Sequence, residues 1–378
     1  MSDKVRVGII GLGGMAAGHA KNIRDGKAGK RCVITAVSDM NPERLKWAKE
    51  NISEDVKCFD TTDGLLQSGE VDAVLIATPH FFHPDLAIAA FNKGLHVLIE
   101  KPAGVYTKHV REMNAAAEKS GKVFAIMFQQ RQRPFYTKLK DLIDSGETGK
   151  LKRVNWTITD WYRSQSYYNS GSWRATWAGE GGGVLLNQCP HQLDIWQWLF
   201  GMPKTVTAFC EFGKYHDIEV EDDVTAYMTY ESGMTATFIA STGEAPGTNR
   251  LEIACDMGKL VAENNTLTFW RNRASERKFN AEFTGGFGSP ECWKCEIPLK
   301  PDNVWHEGII SNFVDAILDG KKLVAPGAEG LNSLMLSNAM LMSEWNGNKA
   351  IALPFNDDEF YNTMKQKIDN SVFHKKKA

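Results

Sequence analysis

A chain of 378 residues is too long for one ordinary hydrophobic core and implies about two domains. Its 44 basic and 46 acidic side chains leave a formal charge of -2, so no bulk electrostatic pull draws it to nucleic acid or an anionic membrane. No apolar run approaches the roughly 18 residues of a membrane span, "MSDKVRVGIIG" has no secretory pattern, and the odd count of seven scattered cysteines suits a reducing compartment. The expectation is a cytoplasmic protein with neither a membrane nor a nucleic-acid partner.

In chain order, "KVRVGII" reads as a first buried strand, followed at once by "GLGGMAAGHA" opening a helix. Gly11, Gly13 and Ala16 form G-x-G-x-x-A: a tight turn, a close backbone approach to a pyrophosphate, and a small residue for helix packing. Gly14 and Met15 lie in the same turn, where a helix amino terminus faces the phosphates. The second strand, "CVITAVSD", ends at Asp39, whose carboxylate suits a ribose diol and repels a 2′-phosphate; NAD is therefore expected over NADP, with Arg44 as a mild contrary signal.

"DAVLIAT", "LHVLIE" and "KVFAIMF" continue the strands, with "NPERLKWAKENI", "HPDLAIAAFNKG" and "TKHVREMNAAAEKSG" as helices between them. This alternation predicts an α/β fold: an amino-terminal Rossmann domain with a doubly wound parallel sheet over residues 1–128. Ligands of such sheets bind beyond the carboxyl ends of the strands, which places Thr78, Pro79, His83, Glu100 and Lys101 among the candidate cofactor contacts. His83 reads equally well as a packing histidine, and Lys101 as a surface lysine set before Pro102.

Residues 129–378 are assigned to a second α/β domain. After a helix at 134–145, the segments "LKRVNWTITDWYR", "TVTAFCEFG", "DVTAYMTYESG", "MTATFIAST", "RLEIACDMGKLVAE" and "TLTFWRNR" predict a large, mostly antiparallel open sheet. Six of the eleven tryptophans fall between Trp156 and Trp198, and the loop "TDWYRSQSYYNSGSWRATWAGEGGG" combines rings with arginines. Trp173 and Tyr168 are candidate sugar-stacking rings, and Arg174 suits a carboxylate or phosphate; Trp156 is assigned to packing. In "GGGVLLNQCPHQLD" the glycines read as room for close approach, and helical spacing puts Asn187, His191 and Asp194 on one face. A solvated polar stripe is the competing reading. "CWKC", Cys292 to Cys295, has no second ligand pair, so no metal is expected. Later helices are expected at 304–318 and 330–342.

Taken together, "GIIGLGGMAAGH", "ATPHFFHPDLAIAAFNKGLHVLIEKPAG", "GGGVLLNQCPHQLDIWQWLFG" and "GLNSLMLSNAMLMSEWNGNKAIALPF" resemble the glucose-fructose oxidoreductase and inositol dehydrogenase family, Gfo/Idh/MocA, in order along nearly the whole chain. The resemblance implies an NAD(P)-dependent dehydrogenase acting on a secondary alcohol of a sugar, glycoside or cyclitol, with the open sheet joining subunits of a homodimer or homotetramer. It identifies Lys101 as the family's lysine and His191 as its catalytic histidine, while Asn187 stands where the family often has an aspartate. An imidazole of ordinary pKa about 6.5 suits a base near neutrality. The expected roles are His191 as acid and base, Lys101 as electrostatic partner and Asn187 as hydroxyl positioner, all three touching substrate with Tyr168, Trp173 and Arg174. Two alternatives stay open: an NAD-dependent glycoside hydrolase working through a transient keto sugar, and a non-catalytic dinucleotide-binding regulator.

Overall fold

The computed structural model describes residues 4–300 and 304–373, which divide into two compact units: 4–132 with 304–334, and 133–300 with 335–373. A single cut after residue 128 does not reproduce this division, because 304–334 returns to the first unit. The reason is the amphipathic helix His306–Asp319, which buries Ile309, Ile310, Phe313 and Val314 and is tied to Arg31 through Asp315 and Asp319. Periodicity predicts such a helix but does not say which sheet it covers.

The first unit holds six parallel strands: β1 (Val5–Ile10), β2 (Cys32–Ser38), β3 (Lys57–Phe59), β4 (Ala73–Ile76), β5 (His96–Ile99) and β6 (Phe124–Ile126), in the order β3-β2-β1-β4-β5-β6. Five of these were expected; β3 is a half-exposed edge strand of three residues with no apolar run to announce it. Strand order reverses between β1 and β4, opening the crevice where such sheets bind ligands. The intervening helices are α1 (Gly14–Arg24), α2 (Pro42–Asn51), α3 (Thr62–Gln67), α4 (His83–Asn92) and α5 (Thr107–Ser120). Their ends follow local chemistry: the Asn41 side chain caps α2 at the Glu43 N–H, and α5 stops at left-handed Gly121.

The second unit contains α6 (Pro134–Asp144), β7 (Leu151–Ile158), α7 (Gln165–Asn169), α8 (Pro190–Phe200), β8 (Thr205–Phe212), β9 (Glu221–Thr229), β10 (Thr235–Ser241), β11 (Asn249–Cys255), β12 (Gly258–Glu263), β13 (Thr266–Asn272), β14 (Cys292–Glu296) and β15 (Ile351–Ala352). The nine strands run in the order β14-β13-β12-β11-β7-β10-β9-β8-β15, with β7 and β10 parallel and the other pairs antiparallel. Alternation sorts the two faces: Val224, Ala226 and Met228 of β9 are buried, whereas Tyr227, and Phe209 on β8, are exposed. Trp156 of β7 stacks on Trp196 of α8 in the core, as a packing residue should. Cys292 and Cys295 lie three apart on β14 and so face opposite sides. Among the described residues, no group of three or more His, Cys, Asp or Glu side chains could hold a metal, and no helix is long and apolar enough to cross a membrane.

Candidate functional site

The turn after β1 is built around Gly11, at φ 83°, where a side chain would also press on Thr78 Cγ2 at 2.9 Å. The end of β4 therefore sits directly against the turn. Gly13 is the N-cap of α1 with no side-chain cap, and Gly13, Gly14 and Met15 are exposed, with open space where a Cβ would stand at either glycine. These uncapped amides fit a pyrophosphate. Asp39 accepts from the Leu12 N–H at 2.7 Å through one oxygen and from the Asn41 N–H at 2.8 Å through the other. A carboxylate has about four acceptor sites, so ribose hydroxyls can still be received. Its first task, bracing the glycine turn, was not visible in the motif.

At the ends of β4 and β5, His83 is completely buried, with Nδ1 2.8 Å from the Pro102 carbonyl oxygen and Nε2 2.8 Å from that of Thr78. Burial holds its pKa below the ordinary value. This places His83 as a clamp between the loops bearing Thr78 and Lys101, and corrects the reading in which its ring touches the cofactor. Thr78 is half-buried and Pro79 exposed. Glu100 is buried: one oxygen lies 2.5 Å from His19 Nε2 and the other accepts the Lys101 N–H at 3.1 Å. Glu100 is thus a brace for Lys101, itself half-buried, rather than a group presented outward. Burial pushes the Glu100 pKa up, but the His19 hydrogen bond and the charges of His19, Lys101 and His306 outweigh it, and the carboxyl is held below its usual range. His19 escaped the sequence reading, although it shares the buried face of α1 with Ala16, Ala20 and Ile23.

In the second unit the expected continuous helix is broken. Val184–Gln188 forms a wider π-turn, closed by the Cys189 N–H to the Val184 carbonyl at 2.8 Å, before α8 begins at Pro190. The even helical stripe through Asn187, His191 and Asp194 is thereby reset. His191 is 5% exposed, Asp194 is buried and accepts from Gln197 at 3.1 Å, and Asn187 alone of the π-turn is half-exposed. The glycines serve the chain itself: a Cβ on Gly183 would fall onto the Glu221 carbonyl oxygen, so this close approach is by β9 and not by a ligand. Glu221, fully buried, accepts the Gly183 and Leu185 N–H groups at 2.8 and 3.0 Å through one oxygen. Burial drives its pKa up to about 7, with Glu180 adding to the rise.

Glu180 is another side chain that sequence reasoning missed. It is 1% exposed, accepts from Asn187 Nδ2 and, at 2.6 Å, from the Ala175 N–H, and stands 3.8 Å from Arg174 Nη1. Its only signal was an acid directly before three glycines. Arg174 lies over the rings of Tyr167 (4.4 Å) and Trp173 (4.6 Å) and donates to the Tyr167 hydroxyl at 2.7 Å; Gln188 donates to the same hydroxyl at 3.3 Å. Trp173 keeps an exposed surface. Tyr168 does not: it is 2% exposed and bonded to Thr242 at 2.8 Å, with burial pushing its phenol well above the ordinary range. The sugar-contact reading of Tyr168 is corrected, and its neighbour Tyr167 stands in the polar cluster instead. In a five-residue helix, adjacent tyrosines point apart, and composition alone did not say which faces inward.

Residues 5–128 match the family described as oxidoreductase, NAD-binding Rossmann fold (GFO/IDH/MocA), and residues 136–261 match the GFO/IDH/MocA C-terminal domain. The uncharacterized oxidoreductase YdgJ of Escherichia coli K12 is 29% identical over 207 residues, a stretch spanning 55% of this chain and 57% of that protein. Inositol 2-dehydrogenase of Corynebacterium glutamicum strain R is 26% identical over 334 residues, 87% of this chain and 90% of the relative. The WlbA dehydrogenase from Bordetella pertussis, solved with NADH and UDP-GlcNAcA, superposes with a TM-score of 0.78 at 25% identity, covering 93% of this chain and 100% of its own.

Proposed function

The chain belongs to the GFO/IDH/MocA family of oxidoreductases, with an NAD-binding Rossmann domain, and from that premise we propose that it oxidises or reduces a secondary alcohol of a sugar, glycoside or cyclitol. The observation that carries this reading is the polar cluster of Asn187, Glu180, Arg174, Tyr167 and Gln188, two of whose members lie on the π-turn that leads into the helix bearing His191, in a chain whose other unit binds NAD. Bound NAD supplies the hydride chemistry at the alcohol carbon. His191 takes the hydroxyl proton in oxidation and returns it in reduction. The Lys101 ammonium stabilises negative charge developing on that oxygen. Asn187 orients a hydroxyl but, being an amide, takes no proton from it.

The substrate class is supported by the relatives named inositol dehydrogenases and by the WlbA complex with a nucleotide sugar. Trp173 offers a ring to a pyranose face and Arg174 a cation to an acidic substituent. The open face of the second sheet, with Phe209 and Tyr227 exposed, supports self-association into a dimer or tetramer, which light scattering measures directly.

The test is a panel of inositols, free sugars, methyl and nitrophenyl glycosides and UDP-GlcNAcA with NAD or NADP. Steady NADH accumulation with at least one member, and preference for NAD, is the expected result. Aglycone release without net NADH would instead make it a glycoside hydrolase, and no turnover at all a dinucleotide-binding regulator. A clear preference for NADP would overturn the part given to Asp39.

A further inference from the structure

Asn187 is surrounded more specifically than a generic hydroxyl positioner needs. An amide has one donating and one accepting end, and which end meets a substrate changes what can bind. Glu180 decides this. Its carboxylate is 1% exposed and accepts the Ala175 N–H at 2.6 Å through one oxygen. The other oxygen receives Asn187 Nδ2, with Arg174 Nη1 3.8 Å away. A carboxylate only accepts, so the amide must turn its N–H end to Glu180 and its oxygen the other way.

Resting on the proposed function, we infer that Glu180 is a positioning residue that locks Asn187 as a hydrogen-bond acceptor, so that the site selects a substrate donating an O–H or N–H group at this point. Asn187 is the half-exposed member of an otherwise buried π-turn, and so is the one able to pass this polarity outward. The π-turn is itself pinned from below by Glu221 through Gly183 and Leu185, so the amide has little freedom except rotation about its own side chain. A carboxylate at position 187 would present an acceptor unaided; with an amide there, the second carboxylate at 180 does the orienting.

The Glu180→Gln variant keeps size and shape but reverses polarity. With the Ala175 N–H still donating to the side-chain oxygen, the new amide nitrogen faces Asn187 and flips it, exposing N–H groups. Two measurements read this out. In protein labelled with 15N asparagine, the Asn187 side-chain signal, assigned by its loss in Asn187→Asp, should carry one downfield, slowly exchanging proton, and Glu180→Gln should return it to the position of a free amide. An unchanged signal overturns the inference whether or not any sugar is turned over. In kinetics with myo-inositol and UDP-GlcNAcA as probes, Glu180→Gln should raise the sugar KM by about tenfold, leaving the NAD KM unchanged. The double variant Glu180→Gln/Asn187→Asp should recover most of that loss, because the pair is rebuilt with an acceptor outward again. A double variant no better than the single one overturns the inference, since a purely structural Glu180 would show no such rescue. Failure of both probes to react would count against the proposed function, with the NMR result still deciding the role of Glu180.

Discussion

Glu100 in the first unit and Glu221 in the second are both buried, at 6% and 0% exposure, yet they end on opposite sides of the usual carboxylate range. Burial raises both pKa values. Glu100 is then pulled below the usual range by a histidine 2.5 Å away and by nearby cationic groups, whereas at Glu221 burial dominates: the backbone N–H groups offset it only in part, Glu180 adds to the rise, and the pKa reaches about 7. The two units use their glycines just as differently. Gly13 stands before open space at a helix start; Gly183 is filled in by the chain's own carbonyl. The first unit keeps room for a ligand with backbone, and the second builds its site from buried side chains that hold one another.

The sharpest contrast comes from the glycines. Gly183→Ala should cost about 3 kcal/mol or more in a denaturant titration, because Glu221 on β9 must move. Gly13→Ala should cost only about 0.5 kcal/mol in the same titration and show its loss in NAD affinity instead. Equal stability losses would erase the distinction.

The glutamates come next. The folded-state pKa of Glu221, about 7, lies above its ordinary 4.5, so its contribution is fully present below pH 4.5 and is lost as pH rises toward 7. Glu221→Gln lacks that loss. Relative to the unaltered protein it should gain on the order of 3 kcal/mol between about pH 4 and about pH 8. Glu100 has the opposite sign: its folded-state pKa is lowered, so its contribution is present above 4.5 and disappears as pH falls through the folded value. Glu100→Gln should therefore be destabilised by about 2 kcal/mol at neutral pH, with the deficit shrinking in acid. Parallel pH curves for the two variants would contradict the comparison. Smallest is Tyr168→Phe, expected to lose about 1 kcal/mol with its Thr242 bond and to leave the sugar KM unchanged, whereas Trp173→Ala should raise that KM.

Legibility followed the same divide. The first sheet could be read in order because buried parallel strands are continuous apolar runs, and the glycine turn because its spacing is dictated by its φ angle and by the helix start. Only β3 was too short and too exposed to register. In the second unit the open sheet was legible from alternation, but the site was not. Glu180, Tyr167 and Gln188 gain their meaning from contacts across several turns of chain, and the π-turn shifts the helical register that had aligned Asn187 with His191. Tyr168 was misplaced, and His83 left between packing and cofactor contact, for one reason: residue type shows what a side chain can bond, while burial decides whether its partner is the chain or a ligand.

The role proposed for His191 is to carry the proton in an NAD-dependent oxidation of a sugar or cyclitol alcohol. It is tested most directly by single-turnover NADH formation in His191→Ala, with NADH binding followed separately by fluorescence. NADH binding should stay intact and the rate should fall by about 10²–10⁴-fold. A rate equal to that of the unaltered enzyme would contradict that role.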